Sequence, residues 1–202
     1  KHKEDRDKYI AYMLGYICHF VLDSECYSYI EYRIIHDNLT HTEIETDFER
    51  RWLKKDKFNP VKYNTASHIV CTKEVSAVIA EFYDKVSKKD IRKALKGMKL
   101  YNKLLLPTNE VKKELIENIL TATGNYEEMH GLIMQKHING RCINSTRDLM
   151  RKYQDAIPVA TKLINNYMEF VQDNKALDSR YSRTFGPDEA EMAIYTLEGE
   201  NV

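Results

Sequence analysis

Apolar residues recur along most of the chain at the three- and four-residue spacing of an amphipathic α-helix. This pattern predicts one long helix or two abutting helices over residues 5–32. The middle of this stretch is apolar on nearly every side and is therefore expected to lie centrally in a bundle. A second helix is predicted to open at Thr40, since Thr40 and Glu43 have the spacing of a capping box. It is expected to end before Asn59 and Pro60, with a loop over residues 35–39 ahead of it.

The same periodicity predicts further helices over residues 67–87, 87–106, 108–123, 125–135 and 144–171. Pro158 falls inside the last helix, where it is expected to cause a kink because it lacks a backbone N–H. Beyond Asp173 the pattern fades, which predicts a helical domain over residues 1–175 and a loosely ordered acidic tail over residues 176–202. The predicted fold class is all-α, a single-domain multi-helix bundle.

The composition of the chain disfavours some classes of fold and function but does not identify one function. The 7 Gly and 4 Pro residues are too few for a sandwich or barrel with many turns. The 31 basic and 31 acidic residues cancel, which disfavours a wholly basic nucleic-acid binder. Four cysteines without a Cys-x-x-Cys pair favour free thiols, and hence a cytoplasmic rather than a secreted location. The chain starts at Lys1 rather than Met, so a leader ahead of it stays open as an alternative.

Two pairs of residues carry the candidate chemistry. His19 and Asp23 are four positions apart in the first helix, and His41 and Glu45 are four apart in the second. Residues with this spacing project from the same side of a helix, so two imidazoles and two carboxylates on adjacent helices would suit zinc. The alternative is a helix-stabilising ion pair in each case. Both pairs run base first and acid second, which is the less favourable order for an ion pair.

The residues around these pairs resemble the zinc-dependent phospholipase C family in its bacterial members. The resemblance rests on GYICHFVLDSECYSYI, residues 15–30, and THTEIETDFERRWL, residues 40–53. Related all-helical zinc enzymes that this resemblance also brings in are the single-strand-specific nucleases. The resemblance implies a helical hydrolase of phospholipase C and nuclease-like type, with three zinc ions acting on a phosphodiester substrate such as a phospholipid. It implies that His19 and Asp23 ligate one zinc and that His41 and Glu45 ligate another, and it assigns no catalytic residue.

Two departures from the family pattern qualify that expectation. Tyr27 stands where family members have a zinc-ligating His, and His36 is a conceivable replacement. The family also draws ligands from a segment ahead of these helices, and this segment is missing from the chain. The expectation is therefore a truncated or inactive member of the family. The dipeptide His36-Asp37 alternatively suggests an HD phosphohydrolase, although no matching upstream His or downstream Asp is evident.

A basic stripe supports a function of another class. Six basic residues recur at three- and four-residue steps, namely Lys85, Lys88, Arg92, Lys96, Lys99 and Lys103. The other side of the same predicted helix carries Ile91, either Ala94 or Leu95, Met98 and Leu105. Such a helix could lie on an anionic membrane surface or contact nucleic-acid phosphates, and the ordinary alternative is a solvated outer face of a bundle. The alternative function is a non-catalytic helical module that binds a membrane surface or a protein partner.

Overall fold

The computed structural model describes the backbone of residues 3–199 and the side chains of residues 5–196. Over this range the chain forms α-helices and short 3-10 turns without a β-strand, which confirms the all-α fold class. The helices are α1 (Lys3–Asp37), α2 (His41–Lys55), α3 (Lys73–Ala80), α4 (Lys88–Leu105), α5 (Glu110–Ala122), α6 (Tyr126–Met129), α7 (Ile143–Asp173) and α8 (Glu189–Gly199).

The described residues divide into two compact units. Unit 1 holds residues 3–12 and 45–139, and unit 2 holds residues 13–44 and 140–199. The division falls inside α1, after Tyr12, and inside α2, after Ile44. Helices α3 to α6 therefore belong to unit 1, and α7 and α8 belong to unit 2.

Unit 1 has a small apolar core around α5. Ile116 and Leu120 lie four positions apart on one side of α5 and pack with Ile133. Leu105, Tyr126 and Met129 pack against this cluster from the neighbouring turns. Elsewhere in unit 1, Arg50 donates to Asp47 over 2.7 Å inside α2, and both side chains are buried. A buried ion pair of this kind is retained when each charge has a hydrogen-bonding partner.

Unit 2 has the larger core, formed between α1 and α7. It consists of the buried residues Ile17, Phe20, Val21, Ala156 and Leu163. Val159, Ile164 and Tyr167 of α7 also pack against this cluster, and such packing helps the 31 residues to stay helical even though Pro158 lies inside the helix. Packing of the apolar stripe compensates for the backbone hydrogen bond that proline cannot donate.

Most of the predicted helices are present, but several boundaries differ, and the helix predicted over residues 125–135 is only the short α6 followed by a 3-10 turn over His130–Leu132. α1 extends through Asp37, so the predicted loop over residues 35–39 is shortened to a turn. Asn38 ends the helix with φ 52°, a left-handed conformation that asparagine tolerates better than most residues. The capping box at the start of α2 is confirmed, because the Thr40 backbone N–H donates to Glu43 and the Glu43 N–H donates back to the Thr40 hydroxyl.

The helix predicted over residues 67–87 is shorter in the structure. Residues Thr65–His68 form a 3-10 turn, and α3 begins only at Lys73. The Thr72 hydroxyl accepts from the Val75 N–H, so Thr72 acts as a helix cap rather than as an interior residue. Threonine competes with helical hydrogen bonding in this way, which is why it favours a new helix start.

The segment that the sequence predicts as a loosely ordered acidic tail contains a 3-10 turn over Ser179–Ser182 and helix α8. The Tyr181 hydroxyl donates to the Leu163 carbonyl over 2.7 Å, and Phe185 packs on the unit 2 core. Arg180 donates to Glu25 of α1 over 2.7 Å. The segment is therefore tied to both long helices of unit 2 over the part that the structure describes, and residues 200–202 lie outside that part.

Candidate functional site

The first predicted pair, His19 and Asp23, lies on α1 within unit 2. The His19 Nε2 and Asp23 Oδ2 atoms are 3.3 Å apart, as the four-residue spacing predicts. The two side chains differ in exposure, 65% for His19 and 17% for Asp23. The ring of Phe185 lies beside His19, with centroids 5.6 Å apart. This aromatic neighbour comes from more than 160 positions further along the chain, so no local pattern could have indicated it.

The second predicted pair, His41 and Glu45, has a different setting. The His41 ring packs on the ring of Tyr27, with centroids 5.1 Å apart, and both residues belong to unit 2. Tyr27 stands where the resemblance led us to expect a ligand His. Glu45 is exposed on α2 and belongs to unit 1.

The described side chains do not fit a zinc cluster. A protein zinc site takes three or four ligands. Among residues 5–196 there is no group of three or more His, Cys, Asp or Glu side chains placed to hold a metal ion. The His19–Asp23 pair alone supplies two donors. Zinc binding through His19, Asp23, His41 and Glu45 therefore stays a prediction from the resemblance.

The dipeptide His36-Asp37 lies in the last turn of α1 rather than in a loop. Asp37 forms an ion pair with Arg33, one helical turn earlier, and its other carboxylate oxygen is 3.1 Å from His36 Nδ1. The His36 ring also packs beside Tyr32. These contacts give Asp37 a structural role at the helix end.

The basic stripe lies in unit 1, with Lys85 in the turn ahead of α4 and the other five residues on α4, and the structure divides the six into two groups. Arg92 Nε donates to the Cys71 carbonyl over 3.2 Å. Lys99 Nζ donates to the carbonyls of Ser67 and Ile69 over 3.2 and 2.8 Å. Lys99 therefore satisfies backbone acceptors at the end of the 3-10 turn, and Arg92 satisfies one in the loop ahead of α3. The remaining four members, Lys85, Lys88, Lys96 and Lys103, have exposed side chains.

Apolar side chains are exposed on the same helix. Met98 is 56% exposed, Leu100 54%, Tyr101 64% and Leu104 53%, and no residue of α4 is buried. The sequence pattern placed Met98 and Leu105 together on the apolar side of the helix, and in the structure Leu105 packs on the unit 1 core whereas Met98 is exposed. We call the exposed face the α4 surface, and it consists of Lys88, Lys89, Lys93, Lys96, Leu100, Tyr101, Lys103 and Leu104.

The start of α4 is well fixed. The Ser87 hydroxyl accepts from the Asp90 N–H, and the Asp90 carboxylate accepts from the Ser87 hydroxyl and backbone N–H. These hydrogen bonds from Ser87 hold the pKa of Asp90 below its usual range. The capping box thus keeps the α4 surface helical even though the helix buries no side chain of its own.

Comparison of the chain with protein-family models, curated proteins and solved structures gives no match. The site and its chemistry therefore rest on the sequence and the structure alone. Over the described residues, the helices include none with the length and apolar character needed to cross a bilayer.

Proposed function

We propose that the chain binds anionic membrane surfaces through the α4 surface. The observation that carries this proposal is the composition of the exposed face, where Leu100 and Leu104 are more than half exposed beside Lys96 and Lys103. Helices that lie in the headgroup region of a bilayer combine these two kinds of residue.

The two kinds of side chain would contribute separately. Each lysine close to an anionic leaflet is worth about 1 kcal/mol, and this contribution falls with added salt. Insertion of an exposed leucine removes apolar area from water and contributes roughly 1.5–3 kcal/mol, which salt does not screen. Nucleic-acid phosphates would use the lysines and leave the leucines in water. The exposed leucines therefore favour a lipid surface over a nucleic acid.

The proposal is tested by vesicle co-sedimentation with three versions of the chain. We expect the wild type to bind vesicles of phosphatidylcholine with phosphatidylglycerol, and to bind vesicles of phosphatidylcholine alone far less. The variant Leu100→Ser/Leu104→Ser should bind the anionic vesicles at least about tenfold more weakly, because two inserted side chains are lost. The variant Lys96→Glu/Lys103→Glu should show a comparable loss that shrinks as salt is added.

Matched controls come from other exposed positions of unit 1. Val111 and Leu115 have the same four-residue spacing on α5 and are 79% and 56% exposed. Val111→Ser/Leu115→Ser should bind as the wild type does, as should Lys54→Glu/Lys136→Glu. If the α4 variants bind as tightly as these controls, the proposal is wrong. Binding to duplex DNA, with no binding to vesicles, would mean that the α4 surface binds a nucleic acid and not a lipid.

A phospholipase-C-like zinc hydrolase is the second candidate, and the ring contact between Tyr27 and His41 supports it. In the family pattern the residue at position 27 is a His that ligates zinc at the site to which His41 belongs. The position of Tyr27 against His41 is what that pattern leads one to expect. Tyrosine in its neutral form is a poor zinc ligand, so the substitution at position 27 would weaken the site.

The second candidate is tested by metal analysis after equilibrium dialysis against zinc. We expect Tyr27→His to bind zinc at least about tenfold more tightly than the wild type, because an imidazole replaces a phenol beside His41. Tyr27→Phe should bind as the wild type does, and adding His41→Ala to Tyr27→His should abolish the gain. Equal zinc binding by Tyr27→His and Tyr27→Phe would count against the metal site.

A further inference from the structure

A cavity of about 330 Å³ lies in unit 2, between α1 and the segment that leads into α8. This volume is at the lower end of the range for small-molecule sites. The cavity is separate from the α4 surface, since α4 belongs to unit 1. The lining side chains that matter for its chemistry are Ser24, Ser179, Ser182, Arg183, Thr184 and Asp188.

Three hydroxyl groups in this lining have no partner within the described part of the chain. They belong to Ser179, Ser182 and Thr184, and none of them donates to or accepts from another described residue. Ser24 donates to the Val21 carbonyl over 3.2 Å and keeps its lone pairs available. Each hydroxyl can donate one hydrogen bond and accept two. The cavity therefore presents several uncharged donors and acceptors at once.

The charged groups of the lining are already engaged by the protein. Arg183 donates to Glu25 over 3.3 Å and to Glu191. One oxygen of Asp188 accepts from the backbone N–H groups of Ala190 and Glu191, over 2.9 and 3.2 Å. The carboxylates of Glu25, Asp188 and Glu191 are matched by the guanidinium groups of Arg180 and Arg183 and by Lys152, which donates to the Glu25 carbonyl over 3.4 Å. Since each of these cations already has a partner in the protein, the cavity suits an uncharged ligand better than an anionic one.

We propose that this cavity binds an uncharged polyhydroxylated molecule, a polyol or a monosaccharide, through the hydroxyls of Ser179, Ser182 and Thr184. Ligand hydroxyls would exchange hydrogen bonds with these side chains in place of the water that now solvates them. The second oxygen of Asp188 can accept one further hydrogen bond from the ligand. The ion pairs between Arg180, Arg183 and Glu25 hold the lining segment against α1, so the cavity is formed before the ligand arrives.

The test uses myo-inositol and glucose as probes, with saturation-transfer NMR to detect binding and a titration to measure Kd. We expect the wild type to bind at least one of the two with a millimolar Kd. Ser182→Ala/Thr184→Ala should weaken that binding about tenfold, since two of the three hydroxyls are lost. Thr161→Ala/Thr196→Ala is the matched control, because these exposed hydroxyls of unit 2 bond to their own helices. It should bind as the wild type does.

Three results would overturn the proposal. The first is no saturation transfer to either probe, and the second is equal binding by Ser182→Ala/Thr184→Ala and the control. The third is displacement of the probe by inorganic phosphate, which would make the cavity an anion site. Thermal unfolding of each variant confirms that any loss of binding occurs in a folded chain.

Discussion

The helices α4 of unit 1 and α7 of unit 2 are both long and amphipathic, but their apolar faces have different surroundings. α7 places Leu149, Ala156 and Leu163 in buried positions, and two of them belong to the unit 2 core. α4 buries no residue and exposes Leu100 and Leu104 by more than half. An apolar stripe in a sequence therefore indicates either a helix face that is buried in the core or an exposed face that binds a partner or a membrane. The stripe alone does not distinguish these two cases. The apolar face of α7 is covered, and the apolar residues of α4 are those through which we propose that the chain binds a membrane surface.

The largest expected effect is the difference in the free energy of unfolding between a leucine substitution in α7 and one in α4. Leu163→Ala should lower the free energy of unfolding by about 2–5 kcal/mol, because it removes a buried side chain and leaves a cavity. Leu104→Ala removes the same atoms from an exposed position and should change it by less than about 0.5 kcal/mol. Urea unfolding followed by circular dichroism measures both. Equal losses would mean that α4 is covered in solution and would contradict the proposed lipid-binding face.

A second comparison concerns two carboxylates with opposite pKa shifts, beginning with Asp148 of α7. Burial would raise the pKa of Asp148, but hydrogen bonds from Arg147 and Tyr29 outweigh it and lower the pKa. The Tyr29 hydroxyl donates to Asp148 over 2.8 Å. This contribution to stability is present above the unfolded pKa of about 3.9 and is lost as the pH falls through the lower folded pKa.

Tyr29→Phe is therefore expected to cost about 1–2 kcal/mol at pH 7, because it removes a hydrogen bond to a charged group. It should also shift the acid-induced loss of stability to higher pH. Urea unfolding across the acid range measures both effects. Tyr101→Phe is the control, since that hydroxyl is on the exposed α4 surface and its removal should change neither. A wild-type acid profile in Tyr29→Phe would show that Asp148 does not depend on Tyr29.

The smallest expected effect has the opposite sign and concerns Glu49 of α2. Burial raises the pKa of Glu49, and the nearby charge of Glu45 raises it further. A hydrogen bond with Thr65 lowers the pKa but does not outweigh these two effects. The associated stability is fully present below the unfolded pKa of about 4.3 and is lost as the pH rises through the folded pKa. Glu49→Gln should therefore stabilise unit 1 at pH 7 by up to about 0.5 kcal/mol.

The measurement for Glu49 is the same unfolding experiment at pH 3 and pH 7. The gain at pH 7 should vanish at pH 3, which lies well below the unfolded pKa of about 4.3, because the carboxyl is then protonated in both the folded and the unfolded chain. Glu114→Gln, at an exposed position of α5, should show no difference between the two pH values. A gain that is equal at both pH values would mean that the ionisation of Glu49 is not its cause.

Local signals predicted the parts of the fold that local physics controls. The capping box at Thr40 and Glu43 and the stop before Asn59 each depend on neighbouring residues. The pair His19 and Asp23 was likewise predictable from helical spacing. The end of α1 was placed too early. The helix ends where Asn38 adopts a left-handed backbone conformation, and the presence of an asparagine allows this conformation without requiring it.

The parts that the sequence did not predict depend on distant residues. The inward placement of Lys99 depends on backbone carbonyls some 30 positions away, which no helical periodicity encodes. The contacts of Phe185 with His19 and of Arg180 with Glu25 join segments more than 150 positions apart. The cavity between α1 and the segment that leads into α8 likewise depends on long-range contacts such as that of Arg180 with Glu25. The exposed apolar residues Leu100, Tyr101 and Leu104 could have been found on a helical wheel, because they lie opposite the face of Leu95 and Asn102.

Pro158 gives α7 a predictable pattern of internal motion. Proline has no amide hydrogen, so the carbonyl of Gln154, one turn earlier, receives no bond from it inside α7. Deuterium should therefore enter the amides around residues 154–158 sooner than those on either side, although the ends of a helix normally exchange first. Fluctuations of α7 would begin at its centre, and its two halves, 143–157 and 159–173, would exchange as separate cooperative segments.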